Sequence, residues 1–229
     1  MRATDFEFRN RFWIIAAVFS LGFACYSIDH RNVATLLGGG TNTGVHLVLG
    51  VGALLAVLAA ALRTWASAYL HTEVVKDHAL HADRLVADGP YRRLRNPLYL
   101  GTLLLAVCFG LMASRVGFVV IVGGLLIVVV RLIGREEAAL SRAQGAAYDA
   151  YRARVPGLWP ALAPRLPASG ARPQWRQALL GELAMWLFAV GAAALAITFD
   201  RLLYGFLILG FLGYFPSARV KSAAAASSK

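Results

Sequence analysis

Residues 89–101, GPYRRLRNPLYLG, combine a chain turn with cationic and aromatic side chains. Gly89-Pro90 turns the chain, and Pro97 disfavours helical backbone at the residue before it, so a helix is predicted to begin near Leu98. The first backbone N–H groups of such a helix have no intrahelical partner and suit a carboxylate or another anionic group. The segment therefore predicts a binding site at the start of a helix.

Side chains around this turn supply further ligand chemistry. Arginines add positive charge, tyrosines add flat surfaces with polar tips, and a glycine one turn into the helix leaves room for a bulky group; the residues are Arg92, Arg93, Arg95, Tyr91, Tyr99 and Gly101. The alternative is an interfacial anchor, since basic and aromatic residues also collect at the level of lipid headgroups.

Two acidic residues, Glu136 and Glu137, directly follow a later apolar run. Paired acids in a first helical turn are ordinarily solvated and stabilised by the helix dipole, which is the alternative to a ligand site. Carboxylates close to a membrane face also suit the recognition of an ammonium group or of hydroxyls, such as those of a ribose. The pair is therefore a second candidate for ligand binding.

Three histidines would share one face of a helix at spacings of seven and three, with two acidic residues nearby; these residues are His71, His78, His81, Glu73 and Asp77. The spacing lacks a recognised metal signature such as HExxH. Surface histidines without a metal are common, so no metal site is predicted.

The elements that must position these residues are membrane helices. Hydrophobic residues make up 59% of the 229 residues and charged residues only 15%, a composition outside the usual range for a soluble domain. Six apolar runs approach the length that crosses a bilayer as helix. They are Phe12–Ile28, Val45–Leu62, Leu98–Ala113, Val116–Ile133, Ala178–Phe199 and Leu202–Phe215. The prediction is an all-α, polytopic membrane protein with about six spans.

The basic residues indicate topology. With the N-terminus inside, the inner segments hold twenty of the 23 Lys and Arg, and the outer loops hold Arg31, Arg115 and Arg201. This positive-inside bias predicts both termini in the cytoplasm. Arginine outnumbers lysine twenty to three, which fits a GC-rich bacterial genome, so the inner membrane of a bacterium is the expected location. The net charge of +11 is explained in this way, so no nucleic-acid partner is predicted.

Four segments are predicted along the chain. Residues 1–160 form the membrane core, with an amphipathic helix over Arg135–Arg154 lying on the cytoplasmic face. Residues 161–176 form a linker, because Pro156, Pro160, Pro164, Pro167 and Pro173 forbid helix. Residues 177–216 add two membrane helices, and residues 217–229 form a disordered tail.

The order of these motifs resembles one superfamily of membrane enzymes. GPYRRLRNPLYLG, a helical hairpin, REEAAL and then YDAYRARVP follow each other as in the isoprenylcysteine carboxyl methyltransferases and phospholipid N-methyltransferases. The resemblance covers about Ala61 to Pro160. One departure is visible, because Asn96 stands where the family has histidine between Arg and Pro; Asn cannot titrate near neutral pH.

The resemblance implies S-adenosylmethionine as cofactor and a lipid-like substrate from the bilayer. The implied cofactor-binding residues are Leu85, Val86, Gly89, Pro90, Tyr91, Arg95, Asn96, Tyr99, Gly101, Glu136 and Glu137, and the implied catalytic residues are Arg154, Asn96 and Tyr151. Arg154 would hold a carboxylate or phosphate of the substrate. The pocket would open to the cytoplasm.

Two other functions stay open at this point. A membrane sterol or enone reductase that uses NADPH carries a related RHP-x-Y motif, although adjacent glutamates would sit poorly beside a 2′-phosphate. A non-catalytic membrane scaffold is the other alternative. Within methyl transfer, the substrate is an aminophospholipid, or an isoprenoid or prenyl carboxylate or thiol, and the oligomeric state is open.

Overall fold

The computed structural model of the protein describes residues 2–74 and 87–198, and this part of the chain is helical without a strand. Two 3₁₀ turns, Cys25–Ser27 and Gly89–Arg92, accompany the α-helices. The helices are α1 (Asp5–Arg9), α2 (Arg11–Ala24), α3 (Val33–Leu37), α4 (Asn42–Val74), α5 (Pro97–Met112), α6 (Arg115–Gln144), α7 (Ala146–Arg154), α8 (Trp175–Gly181) and α9 (Leu183–Thr198). The predicted all-α class is confirmed.

Two or three of the six predicted spans are long and apolar enough, in the part of the chain that the structure describes, to cross a membrane. Within the described residues, Asn42–Leu70 and α6 are long and apolar enough, and α8 with α9 makes a third span if the two helices, bent by 62° at their junction, are counted as one. The helices α2 and α5 are apolar but shorter. The predicted sixth span, Leu202–Phe215, lies outside the described residues, and the orientation in the membrane stays a prediction.

One buried core joins these helices. Ala56, Ala59 and Ala60 of α4 are almost completely buried, and such small residues allow neighbouring helix backbones to approach closely. The ring of Phe109 in α5 meets the rings of Phe19, Phe23 and Phe188 edge to face, with centroids 5.6 to 6.2 Å apart. Because Phe188 belongs to α9, the C-terminal helices pack on the same core as the earlier ones.

The predicted amphipathic helix over Arg135–Arg154 is wrong as a single element. The membrane helix α6 continues without a break to Gln144, because the residues after Ile133 favour helix as strongly as those before it. The break comes at Gly145, whose φ of 54° ends α6 and allows α7 to leave in a new direction. The acidic pair therefore lies inside α6 and not in the first turn of a separate helix.

Helix α4 is longer than predicted. It runs twelve residues beyond the predicted end at Leu62, so Arg63 and Tyr69 are helical. Residues 155–174, the proline-rich segment, contain no helix, as their prolines predict. The end of α4, the 3₁₀ turn Gly89–Arg92 (the Gly89 turn) and the proline-rich segment lie side by side.

Candidate active site

The turn at Gly89 needs glycine for two reasons. Its φ of +57° is a left-handed conformation that side chains disfavour, and a Cβ atom there would lie 2.3 Å from the ring of Tyr69. Pro90 is the second residue of the 3₁₀ turn Gly89–Arg92, in which Pro90 and Tyr91 are buried. Ahead of it, Asp88 accepts hydrogen bonds from the backbone and hydroxyl of Ser169 and from the backbone N–H of Ala171. Burial would raise the pKa of Asp88, but these bonds outweigh it and hold the pKa below its usual value.

Backbone hydrogen bonds hold the proline-rich segment against this turn. The N–H groups of Arg95 and Asn96 donate to the carbonyls of Pro156 and Gly157 at 2.9 and 3.2 Å. Farther along, two N–H groups of the proline-rich segment donate back, Ala161 to Arg93 and Arg165 to Arg92, at 2.9 and 2.8 Å. The segment predicted as a linker therefore forms one wall of the candidate site.

Glu137 connects three parts of the site. Its Oε1 accepts from Arg95 Nε at 2.9 Å and from the Asn96 amide at 3.2 Å, and its Oε2 lies 3.6 Å from Arg152 Nε. The side chain is only 10% exposed. Arg95 also donates to the carbonyls of Arg152 and Val155 at 2.8 and 2.6 Å. Glu137 and Arg95 thus fasten α6, the Gly89 turn and α7 to one another.

Glu136 differs from its neighbour because it keeps acceptor capacity. Its Oε1 accepts the hydroxyl of Tyr99 at 2.7 Å. No residue in the described part of the chain donates to its Oε2. Arg11, whose guanidinium lies over the rings of Phe8 and Phe12, is close enough to act electrostatically on Tyr99 and Glu136. The half-buried Glu136 carboxylate can therefore accept further hydrogen bonds from a ligand.

The two tyrosines of α7 are buried against the turn. The hydroxyl of Tyr151 donates to the backbone carbonyl of Tyr91 at 2.9 Å, and the rings of Tyr148 and Tyr151 lie 6.0 Å apart. Burial raises the pKa of Tyr148 to about 12 and also raises the pKa of Tyr151 and Tyr91. All three hydroxyls are therefore protonated at neutral pH. The geometry gives Tyr151 a positioning role, and its catalytic role stays a prediction.

The remaining predicted site residues do not join this network of contacts. Arg154, at the end of α7, is exposed, and none of the described residues bonds to its guanidinium. The space beside Gly101 is filled, because a Cβ there would lie 2.5 Å from Cγ of Arg63. Leu85 and Val86 lie outside the described residues, as do the side chains of the histidine cluster.

Comparison with known families bears on this arrangement. Residues 47–147 match the family model for phospholipid methyltransferases. The match confirms the resemblance that the motifs carry. It includes the Gly89 turn and the acidic pair, while Tyr151 and Arg154 lie beyond its end. No curated protein and no solved structure matched the chain.

The segment that matches the family model contains acceptors that fit the cofactor which such a family implies. S-adenosylmethionine carries an ammonium group, a ribose diol and an adenine amine, all of which donate hydrogen bonds. Glu136 offers its second carboxylate oxygen. Gln144, seven residues after Glu137 and so on the same helix face, has a buried Oε1 with no hydrogen-bond partner among the described residues. Both residues fit a ligand rich in donors.

A cavity of about 220 Å³ adjoins the turn on the side of α4. Trp65 and Tyr69 of α4 line it together with Arg92 and Arg93, and residues 164–171 contribute the opposite wall. Ligand pockets are commonly about 300 Å³ or larger, so this cavity is too small for a whole nucleoside cofactor.

Several residues of the site were not singled out from the sequence. Arg63, Arg11, Arg152 and Glu182 all make contacts at or next to it. A signal existed for two of them: Arg63 lies at the end of an apolar run, and Glu182 is the one acid between Asp149 and Asp200, at the start of another. Charged residues inside membrane segments commonly mark functional positions.

Proposed function

We propose that the protein transfers a methyl group from S-adenosylmethionine to a lipid-like substrate, in a site at the cytoplasmic end of α6. The observation that carries the proposal is that the two glutamates of the acidic pair have different hydrogen-bond partners. Glu137 joins the turn, α6 and α7 through two hydrogen bonds to Oε1 and an ion pair of Oε2 with Arg152 at 3.6 Å. The Oε2 of Glu136 has no such partner among the described residues and can accept from a ligand. The match to the phospholipid methyltransferase family model over the same residues supports methyl transfer as the reaction.

The residues would divide the cofactor between them. Glu136 would accept from the ammonium group or the ribose hydroxyls, and Tyr99 would hold the Glu136 carboxylate in place. Gln144 would accept the adenine amine. Asn96 already donates to Glu137 and to the Gly157 carbonyl, so its amide would position the loop and would not act as an acid or base. When bound, the cofactor supplies an electrophilic methyl group on its sulfonium.

The protein's own contribution is alignment and the exclusion of water. Displacement at a methyl group requires the nucleophile and the leaving group in line, so positioning supplies much of the rate enhancement. Arg154, exposed at the end of α7, would hold the phosphate or carboxylate of the substrate, for which a guanidinium is well suited. An aminophospholipid is the proposed substrate, and its amine must lose a proton before it reacts. An isoprenoid acid would need alignment alone.

The experiment is calorimetric titration of the detergent-purified protein with S-adenosylhomocysteine and, separately, with NADPH. Wild type is expected to bind S-adenosylhomocysteine and not NADPH. Glu136→Gln is expected to weaken binding without lowering the melting temperature, whereas Glu137→Gln should lower both. Glu7→Gln is the matched control, because Glu7 also pairs with an arginine of α6, Arg131, but outside the site.

Other outcomes would contradict the proposal. Binding of NADPH alone would favour the reductase. Binding of neither nucleotide would favour a scaffold. Equal losses of affinity in Glu136→Gln and Glu7→Gln would remove the assignment of Glu136.

A further inference from the structure

Arg63 of α4 reaches the beginning of α5. Its side chain crosses Gly101, where a Cβ atom would lie 2.5 Å from Cγ and 3.0 Å from Cδ of the arginine. Its Nη1 donates to the carbonyl of Leu98 and to the hydroxyl of Thr102, both at 3.2 Å. Arg63 therefore holds the first turn of α5 by hydrogen bonds. The contact is possible because Gly101 has no side chain in the space that Arg63 occupies.

The C-terminal helices supply the counter-charge for this arginine. Glu182 lies at the 62° bend between α8 and α9 and is 7% exposed. It accepts from Nε of Arg63 at 2.8 Å, from Nη2 at 3.2 Å and from the hydroxyl of Ser67 at 2.9 Å. A buried charge pair needs such complete hydrogen bonding, because its desolvation is costly. Of the four hydrogen bonds that Arg63 makes to described residues, two therefore go to Glu182 between α8 and α9.

This ion pair lies next to the candidate active site. The first turn of α5 carries Tyr99, whose hydroxyl donates to Glu136. Arg63, Glu136 and Glu182 all act electrostatically on Tyr91, at the centre of the Gly89 turn. A displacement of Arg63 would therefore reach Glu136 through one turn of helix.

We propose that Glu182 is a positioning residue of the active site: it fixes Arg63 against the first turn of α5, and the C-terminal helices thereby become part of the cofactor site. The inference rests on the proposed function, because it concerns the site in which S-adenosylmethionine would bind. It gives residues 177–198 a role beyond packing, since Glu182, between α8 and α9, holds Arg63, and Arg63 in turn bonds the first turn of α5.

The test compares variants at one interface by calorimetry with S-adenosylhomocysteine and by thermal melting in detergent. Glu182→Gln keeps the shape of the side chain and removes the charge. Trp186→Phe is the matched control. The indole N–H of Trp186 donates to the hydroxyl of Thr64 at 3.0 Å, so this substitution removes a neighbouring contact between α9 and α4 and leaves the contacts of Arg63 in place. The double variant Arg63→Met with Glu182→Leu replaces the pair by apolar groups of similar size, which is commonly neutral for stability.

Glu182→Gln is expected to weaken binding by about tenfold to a hundredfold, the size of effect found at metal sites when a residue that orients a ligand is mutated. Trp186→Phe should lower the melting temperature and leave the affinity unchanged. The double variant should melt near wild type and still bind weakly. Affinity within twofold of wild type in Glu182→Gln, or recovered affinity in the double variant, would overturn the positioning role of Glu182 and leave the proposed function standing. Failure of wild type itself to bind would refute the proposed function.

Discussion

Removing the carboxylate of Glu137 should destabilise the protein, because it leaves Arg95 buried with part of its bonding lost. The two side chains are 10% and 13% exposed, so Glu137→Ala breaks a largely buried pair. Such a loss costs about 3–5 kcal/mol of unfolding free energy, and the two carbonyl acceptors that Arg95 retains favour the lower end. At about 2–4 °C per kcal/mol for a chain of this size, a decrease of the melting temperature by about 6–12 °C is expected.

The assay is thermal melting in detergent, followed by circular dichroism, with Glu7→Ala as control. Glu7 makes a comparable bidentate contact with Arg131, but both side chains are considerably exposed, so a smaller decrease is expected. Equal melting temperatures of Glu137→Ala and Glu7→Ala would contradict this expectation. That result would mean that the turn, α6 and α7 are held together without the Glu137 contacts.

Three further predictions concern the same region. Gly89→Ala should lower both the melting temperature and the affinity for S-adenosylhomocysteine, because alanine at φ +57° costs about 1–2 kcal/mol and its Cβ meets Tyr69; unchanged values would contradict the account of the turn. The lowered pKa of Asp88 stabilises the folded state above the unfolded pKa of about 3.9 and ceases to do so as the pH falls through the lower folded value. Melting temperatures of wild type and Asp88→Asn should therefore differ at pH 7 and converge below about pH 4, and a constant difference would exclude Asp88 as the cause. Arg154→Ala should abolish turnover but keep binding of S-adenosylhomocysteine within about twofold of wild type, because the exposed guanidinium has no described partner to lose; equal loss of both would remove its substrate role.

Local features of the site could be predicted from the sequence where a residue type dictates its own conformation. Gly89 and Pro97 indicated a turn and a helix start, and the structure has a 3₁₀ turn at Gly89 and α5 beginning at Pro97. The apolar runs indicated helices for a different reason, because a chain that crosses a bilayer must satisfy its backbone hydrogen bonds internally. The end of α6 could not be predicted in this way, because residues after Ile133 change in polarity but keep high helix propensity.

Contacts between residues far apart in the chain could not be predicted from local sequence patterns. Arg63 and Glu182 are 119 residues apart, and nothing in their local sequence specifies that they pair. The prolines after Val155 correctly excluded helix but gave no sign that the segment bonds to the Gly89 turn. The difference between Glu136 and Glu137 also depends on tertiary structure, since adjacent residues of a helix face different neighbours.

Transfer of a labelled methyl group would test the proposed reaction most directly. Purified protein would be incubated with S-adenosylmethionine labelled in its methyl group and with vesicles of phosphatidylethanolamine or of total membrane lipid, beside Glu136→Gln. Label is expected in the organic-soluble lipid fraction with wild type, and strongly reduced label is expected with the variant. Absence of label from both kinds of vesicle, with a protein that melts cooperatively, would contradict the proposed reaction.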